Sequence, residues 1–284
     1  MIHLQNQTLH LYLLHPEDAP AQLGVRYCPG GYVWQAENAA EEPLFSGPRF
    51  PDPDPPPFHG QGAPEAFRWF DLRSKKRLNF HGNRGLAPGI GLVEDTGDLS
   101  PSLLEACAWQ VDPSPTACTF HTQQHWTDWA WTLTRRVSLE EAGFTSQTRI
   151  ENTGSVPMDL HWFPHPFFPL VSLDAGGMDL RAEGFSLPPE SKGFETDPGG
   201  GIQMKNRDHG LGGSFQILAG EDHPTCGITL SHPACGRVSL SGDFQVARLP
   251  VWANQNTFSP EPHLEQTLSP GESMAWGLTY RGLG

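Results

Sequence analysis

The chain has 284 residues, with 18 basic against 32 acidic side chains and a net charge of −14, a balance that repels a phosphate backbone and excludes nucleic acid as a main partner. Charged residues make up 18% and hydrophobic ones 37%, which excludes the high-charge, low-hydrophobicity regime of intrinsic disorder. The 31 glycines and 28 prolines break up long helices and point to a β-rich, loop-rich globular protein.

The opening run MIHLQNQTLHLYLLHPEDAP has no basic start, no unbroken apolar core and no small-residue cleavage site. It reads as a first strand, not as a signal peptide. No stretch approaches the roughly 18 apolar residues of a membrane span. The five cysteines, at 28, 107, 118, 226 and 235, form no Cys-x-x-Cys pair. A cytoplasmic protein with reduced thiols, away from membranes, is the expectation.

In LGVRYCPGGYVWQA (23–36), two short runs flank Pro29-Gly30-Gly31, the signal of a hairpin. Prolines then crowd SGPRFPDPDPPPFHGQGAP (46–64) and favour an extended chain outside any sheet interior. Too few residues precede this stretch for an independent domain, so it is expected to be a loop folded against a single domain spanning 1–284. Arg73, Lys75, Lys76 and Arg77 form the one basic cluster, expected to be a solvated turn.

From about residue 103 the chain reads as an antiparallel meander of short strands. LLEACAWQV, TACTFHTQ, WAWTLTRRVSL, FTSQTRIEN, MDLHWF, GSFQIL, CGITLSH, GRVSLSG, FQVARLPVW and SMAWGLTY each have strand length. In the third of these, Trp129, Trp131 and Leu133 share one face. The expected fold class is all-β, a large antiparallel sandwich.

Two His-x-x-x-His pairs, His121/His125 and His161/His165, raise the question of a metal. Pro164 and Pro166 exclude a helix around the second pair. On a strand, four residues span about 13 Å, too far for two imidazoles on one ion. No metal or other cofactor is expected. Neither a Gly-x-Ser-x-Gly elbow nor a P-loop occurs, and GPRFPD and GLGGSF lack the strand–helix context of a dinucleotide site. What remains is the aromatic and histidine-rich block His-Trp-Phe-Pro-His-Pro-Phe-Phe at 161–168. A core strand with a buried, hydrogen-bonded histidine accounts for that composition as well as a functional site does.

RIENTGSVPMDLHWFPHPFF (149–168) resembles the galactose mutarotase-like, or aldose 1-epimerase, superfamily. Asn152, Gly154, Pro157, His165, Pro166 and Phe168 fit that pattern in order, with Phe167 where tyrosine is usual. FSPEPHLEQTLSPGESMAWGLTYRG (258–282) is similar to the family's closing Glu-Pro, Pro-Gly-Glu turn and final strand. LGVRYCPGGYVWQ, GAPEAF (62–67) and PGIGLVED (88–95) resemble further blocks.

The resemblance implies a β-supersandwich with a sugar cleft and a monosaccharide or sugar-derivative substrate. The reaction is exchange of α and β anomers by acid–base ring opening. By position, His165 is the implied acid and Glu261, held between Pro260 and Pro262, the implied base, one on each side of the sugar. Glu265 is the weaker alternative, inside the following strand. A second cleft histidine is implied at His81 or His59, with Arg84 beside the first, and an aspartate at Asp208, in an Asp-His pair. Arg26 and Trp34 are candidates for binding hydroxyls and stacking on a sugar face. Two further readings stay open. One is a carbohydrate-binding protein that has lost the chemistry. The other is a hexose-phosphate epimerase, which requires two or more arginines converging on the cleft. Arg135 and Arg136, adjacent on one strand, point to opposite faces, so only one of them could serve.

Overall fold

A computed structural model describes residues 1–18, 23–49, 59–71, 73–98, 100–171, 177–205, 213–220 and 224–284. Every regular element named among them is a β-strand, and every pairing is antiparallel. None of the described residues forms a helix long and apolar enough to cross a membrane.

The frame is a ten-stranded sheet. Its centre is the run Thr225–His232, Gly236–Gln245, Ser273–Arg281, Gly143–Asn152, Trp129–Glu140 and Ala117–Trp126, in that spatial order. Alternation sets which side chains face inward: along Trp129–Glu140, Trp131, Leu133, Arg135 and Val137 are buried. Packed on the inner face is a three-stranded sheet of Leu264–Leu268, Met158–Pro164 and Glu65–Phe67. Trp162 joins the two layers, its ring 5.4 Å from that of Trp276 and 5.3 Å from that of Phe244. A four-stranded sheet, Phe168–Pro169, Thr257–Pro260, Pro250–Ala253 and Ser214–Ile217, continues beside it.

One buried ion pair ties the layers. Arg135 Nη2 lies 2.9 Å from Glu65 Oε2. Trp162 Nε1 donates to the same oxygen at 2.8 Å, and Ser146 Oγ donates to the other. Arg135 also donates to Thr148 Oγ1 and to the Gly30 carbonyl, each at 3.0 Å. Charges this deep persist because they are paired and because Nε and Nη1 of Arg135 and both oxygens of Glu65 have hydrogen-bond partners. Arg135 therefore belongs to the core, while Arg136 is exposed and donates to Thr119 Oγ1.

Three local expectations differ from the structure. Residues 23–36 do not form a hairpin, because only Val33–Asn38 is a strand there. The stretch before it is spent on close packing: a Cβ on Gly30 would fall 2.3 Å from the Trp109 ring, and Cys28 N donates to Glu65 O at 2.8 Å. LLEACAWQV is two strands, Ser102–Ala106 and Gln110–Pro113, in different sheets. FQVARLPVW is likewise divided between Gly236–Gln245 and Pro250–Ala253. Of the proline-rich stretch, residues 50–58 lie outside the described residues. Its flanks are pinned to the body, Ser46 N donating to Phe167 O and Gly62 N to Ser46 O.

Candidate active site

The site grows from one pair of strands. Met158–Pro164 and Leu264–Leu268 run antiparallel with His161 opposite Glu265. The register carried onward sets Phe163 beside His263 and His165 beside Glu261, all on the face turned away from Trp162 and Leu264. These odd-numbered partners touch. The Phe163 and His263 rings stack at 4.3 Å, and His165 Nε2 lies 3.3 Å from Glu261 Oε1.

Backbone contacts hold both ends of the last pair. His165 N donates to Pro64 O and Phe167 N to Gly62 O, each at 2.8 Å. Gly62 has φ 76°, and a Cβ there would meet Val33 O at 2.3 Å, so only glycine fits. Glu261 sits where the chain passes from Thr257–Pro260 in one sheet to Leu264–Leu268 in another. Its N–H donates to Pro250 O at 2.8 Å and that of His263 to Arg248 O at 2.9 Å. The flanking Pro260 and Pro262 have no N–H to satisfy.

His165 and Glu261 lie at the floor of a cleft of about 590 Å³. Arg26, Arg68, Phe163 and Trp252 line it with them, and Asp98 and the exposed Phe215 stand at its mouth. His165 Nδ1 is 2.9 Å from Ser259 Oγ, and Arg26 Nη2 is 3.5 Å from His165 Nε2. Burial pushes the Glu261 carboxyl up to about 7, against the opposing pull of Arg68, Arg26 and Arg248. Burial, and then Arg26, holds His165 well below the ordinary imidazole range. At neutral pH the pair is thus a neutral imidazole beside a carboxyl group poised at its own titration point. In the neutral tautomer that accepts the Ser259 hydroxyl proton at Nδ1, the ring carries its own proton on Nε2, facing the cleft.

Arg26 is in the cleft as expected. Trp34 instead packs against Tyr32 at 5.8 Å and is not among the lining side chains; Trp252 supplies the aromatic wall. His81 is exposed on the short hairpin Phe80–His81/Arg84–Ala87, and Arg84 there pairs with Glu94 at 3.0 Å. Neither lines the cleft, and nor does His59. The hairpin turn directs His81 to solvent, so a His-Gly motif carried over from spacing alone misplaces it. Asp208 and His209 lie outside the described residues. His165 and Glu261 are side by side, not on opposite sides of the cleft, because they are cross-strand neighbours. Arg68, Phe163, Trp252, Ser259 and His263 escape the sequence reading. Arg68 directly follows the GAPEAF block, which is the one signal pointing to it.

Among the described residues, His161, His263 and Glu265 bring ligand atoms within 4.8 Å of one another. The Arg248 guanidinium occupies that position, with Nη2 2.9 Å from His161 Nε2 and Nε 3.2 Å from Glu265 Oε1. We assign the trio to holding Arg248, the two histidines by hydrogen bonds and Glu265 by an ion pair.

No family profile and no curated protein matches the chain. Solved structures do. A galactose mutarotase related enzyme from Lactobacillus acidophilus superposes over 99% of this chain and 96% of its own, with TM-score 0.65 and 11% identity. A galactose mutarotase-like protein from Lactobacillus casei covers 99% of both chains with TM-score 0.60 and 18% identity. One from Clostridium acetobutylicum covers 98% of this chain and 93% of its own, with TM-score 0.58 and 12% identity. The chain has the galactose mutarotase-like fold.

Proposed function

We propose that the protein is an aldose 1-epimerase-like enzyme, exchanging the α and β anomers of a hexose or a hexose derivative. The observation that carries this reading is the contact between a neutral histidine and a carboxyl group titrating near neutrality, 3.3 Å apart on the floor of an aromatic-walled cleft. The ring oxygen and the anomeric hydroxyl of a pyranose are bonded to the same carbon. An acid and a base serving them must therefore be close neighbours.

In the forward stroke Glu261 takes the proton of the anomeric hydroxyl while His165 Nε2–H gives its proton to the ring oxygen, leaving a transient imidazolate that the Arg26 guanidinium beside Nε2 and the Ser259 hydroxyl at Nδ1 stabilise. The bond between C1 and the ring oxygen breaks, leaving an open-chain aldehyde. Rotation about C1–C2 presents the other carbonyl face. The ring hydroxyl then adds to C1, His165 recovers its proton and Glu261 returns one to the new anomeric hydroxyl. No proton is gained or lost over the cycle. Trp252 and Phe163 offer apolar faces for the sugar ring, and Arg26 and Arg68 offer forked donors.

Those two arginines favour a second reading, an anionic sugar such as a hexose phosphate or a uronate. In a protein of net charge −14, two guanidinium groups beside one cleft make a local exception suited to phosphate or carboxylate.

Magnetisation exchange between α and β signals, recorded by NMR on glucose, galactose, glucose 6-phosphate and glucuronate, tests both readings. Exchange above buffer that falls about 10²–10⁴-fold in His165→Ala and in Glu261→Ala is the expected result. Line-broadening without exchange on any of these sugars means a carbohydrate-binding protein and overturns the enzyme reading.

A further inference from the structure

The strand pair that brings His165 to Glu261 continues past the cleft. His263 Nε2 lies 3.8 Å from the inner oxygen of Glu261, Oε2. At the other edge of the same ring, His263 Nδ1 is 2.9 Å from His161 Nε2. His161 Nε2 in turn is 3.1 Å from Glu265 Oε1. Glu265 and His161 line a second groove, of about 400 Å³, which shares no lining residue with the cleft. Buried side chains thus run from one opening to the other.

The chemistry of this line is restrictive. Two imidazole nitrogens at 2.9 Å accommodate one proton between them, since two N–H groups collide. When His263 carries Nδ1–H, it donates to His161 Nε2, and its own Nε2 presents a lone pair to a protonated Glu261. When His263 carries Nε2–H, it faces the Glu261 carboxylate. Its Nδ1 lone pair and that of His161 Nε2 are then both covered by Arg248 Nη2, at 3.5 and 2.9 Å. Each protonation state of Glu261 favours one neutral tautomer of His263. His263 Nε2 and Glu265 Oε1 make no hydrogen bond in this structure, so the step from Glu261 and the step to Glu265 both have to tighten before a proton crosses them.

We propose that His263 and His161 form a proton relay between Glu261 and Glu265, through which the cleft carboxyl exchanges its proton with the second groove while a sugar covers it. This rests on Glu261 being the base of the proposed reaction. In the outward stroke the Glu261 Oε2 proton moves to His263 Nε2. The His263 Nδ1 proton moves to His161 Nε2 and from that nitrogen to Glu265 Oε1, then to water. The inward stroke reverses each transfer, so no ring has to turn over. Only O–H and N–H bonds form and break, and one proton enters for each that leaves. A sugar bound while Glu261 is protonated would otherwise wait, because the base cannot act until it loses that proton.

The groups that set the pH range surround the line on every side. Arg68, Arg26 and Arg248 face Glu261, with Tyr27 and His165 beside it. His161 has Arg248, Arg68, Asp71, Arg73 and Glu265 around it. Burial, then Arg248, holds both His263 and His161 below the ordinary imidazole range, so both rings are neutral where Glu261 titrates. His263 and His161 are positioning residues in this scheme, since neither touches the sugar.

NMR of the full-length protein with ¹⁵N-labelled histidine and ¹³C-carboxyl-labelled glutamate tests the relay without any sugar. We expect the His263 ring to pass from Nδ1–H to Nε2–H as pH rises, at the midpoint where the Glu261 carboxyl titrates. That switch is lost in Glu261→Gln. In the Glu261→Gln background, which closes the cleft-side route, adding Glu265→Gln slows exchange of the His263 ring proton with water at least ten-fold. A single His263 tautomer from pH 5 to 9, or equal exchange with and without Glu265, overturns the relay. Anomer exchange is read separately: a tautomer switch in a protein that exchanges no anomers leaves the relay standing and removes the epimerase reading.

Discussion

Phe163 and His263 lie ring on ring, their centroids 4.3 Å apart and their planes within 9°. The stack separates the pair that meets in the cleft, His165 with Glu261, from the pair that meets at the second groove, His161 with Glu265. It fixes the His263 plane so that one nitrogen faces each pair. A single antiparallel register therefore assembles His165, Glu261 and the residues behind them.

Ser259 orients His165 through the hydrogen bond at Nδ1, 2.9 Å long. Removing it in Ser259→Ala frees the ring to take the tautomer with its proton on Nδ1, which cannot donate to a ring oxygen. Loss of a buried hydrogen bond costs about 1–3 kcal/mol, so the anomer-exchange rate is expected to fall roughly ten-fold or more. NMR exchange on the best sugar, recorded at a temperature where both proteins are fully folded, checks this.

Glu261 is protonated more readily in the folded protein, at about 7 against an ordinary 4.5. Between those values the native state binds more protons than the unfolded chain, so this group's contribution to stability is full below about 4.5 and is lost as pH rises through 7. Glu261→Gln removes that loss. Thermal melts should match the wild type at pH 5 and exceed it at pH 8 by an amount of order 3 kcal/mol. Equal gains at both pH values would contradict the raised carboxyl.

Activity should rise with pH through about 7, because the base works as a carboxylate. Arg68 pulls that value down, so in Arg68→Met the acid limb of the pH–rate profile moves to higher pH. If the substrate is anionic, the same variant also raises KM roughly 10–100-fold for the phosphate or uronate. The KM of the neutral hexose then stays nearly constant.

Glu65→Gln tests the tie between the layers. It leaves Arg135, which is fully buried, without its counter-charge. The expected loss is about 3–5 kcal/mol in urea denaturation, whereas Arg136→Gln on the exposed face should change stability by less than about 0.5 kcal/mol.

The all-β architecture was legible because short strands with alternating burial, such as Trp129 to Val137, carry their own period. His165 and Glu261 were legible through the blocks around them. Arg68 and Trp252 were not, since their meeting depends on pairings between Glu65–Phe67, Met158–Pro164 and the Pro250–Ala253 region that no local pattern encodes. His81 shows the opposite failure, a local motif whose hairpin points outward. One signal was present and went unused. Glu261, His263 and Glu265 alternate, as do His161, Phe163 and His165, and two stripes of equal length, five of their six side chains polar, are what facing strands with one shared surface require.

That shared surface gives the numbering a parity. In residues 158–165 and 261–268 the titratable side chains His161, His165, Glu261, His263 and Glu265 fall on odd positions, and the buried apolar Met158, Leu160, Trp162, Leu264 and Leu268 on even positions. Adding or deleting one residue in either segment would exchange the two sets beyond that point, turning carboxylates inward and tryptophan outward. The two segments can therefore diversify by substitution at odd positions but not by change of length. Variation in loop length is left to the segments that border the cleft.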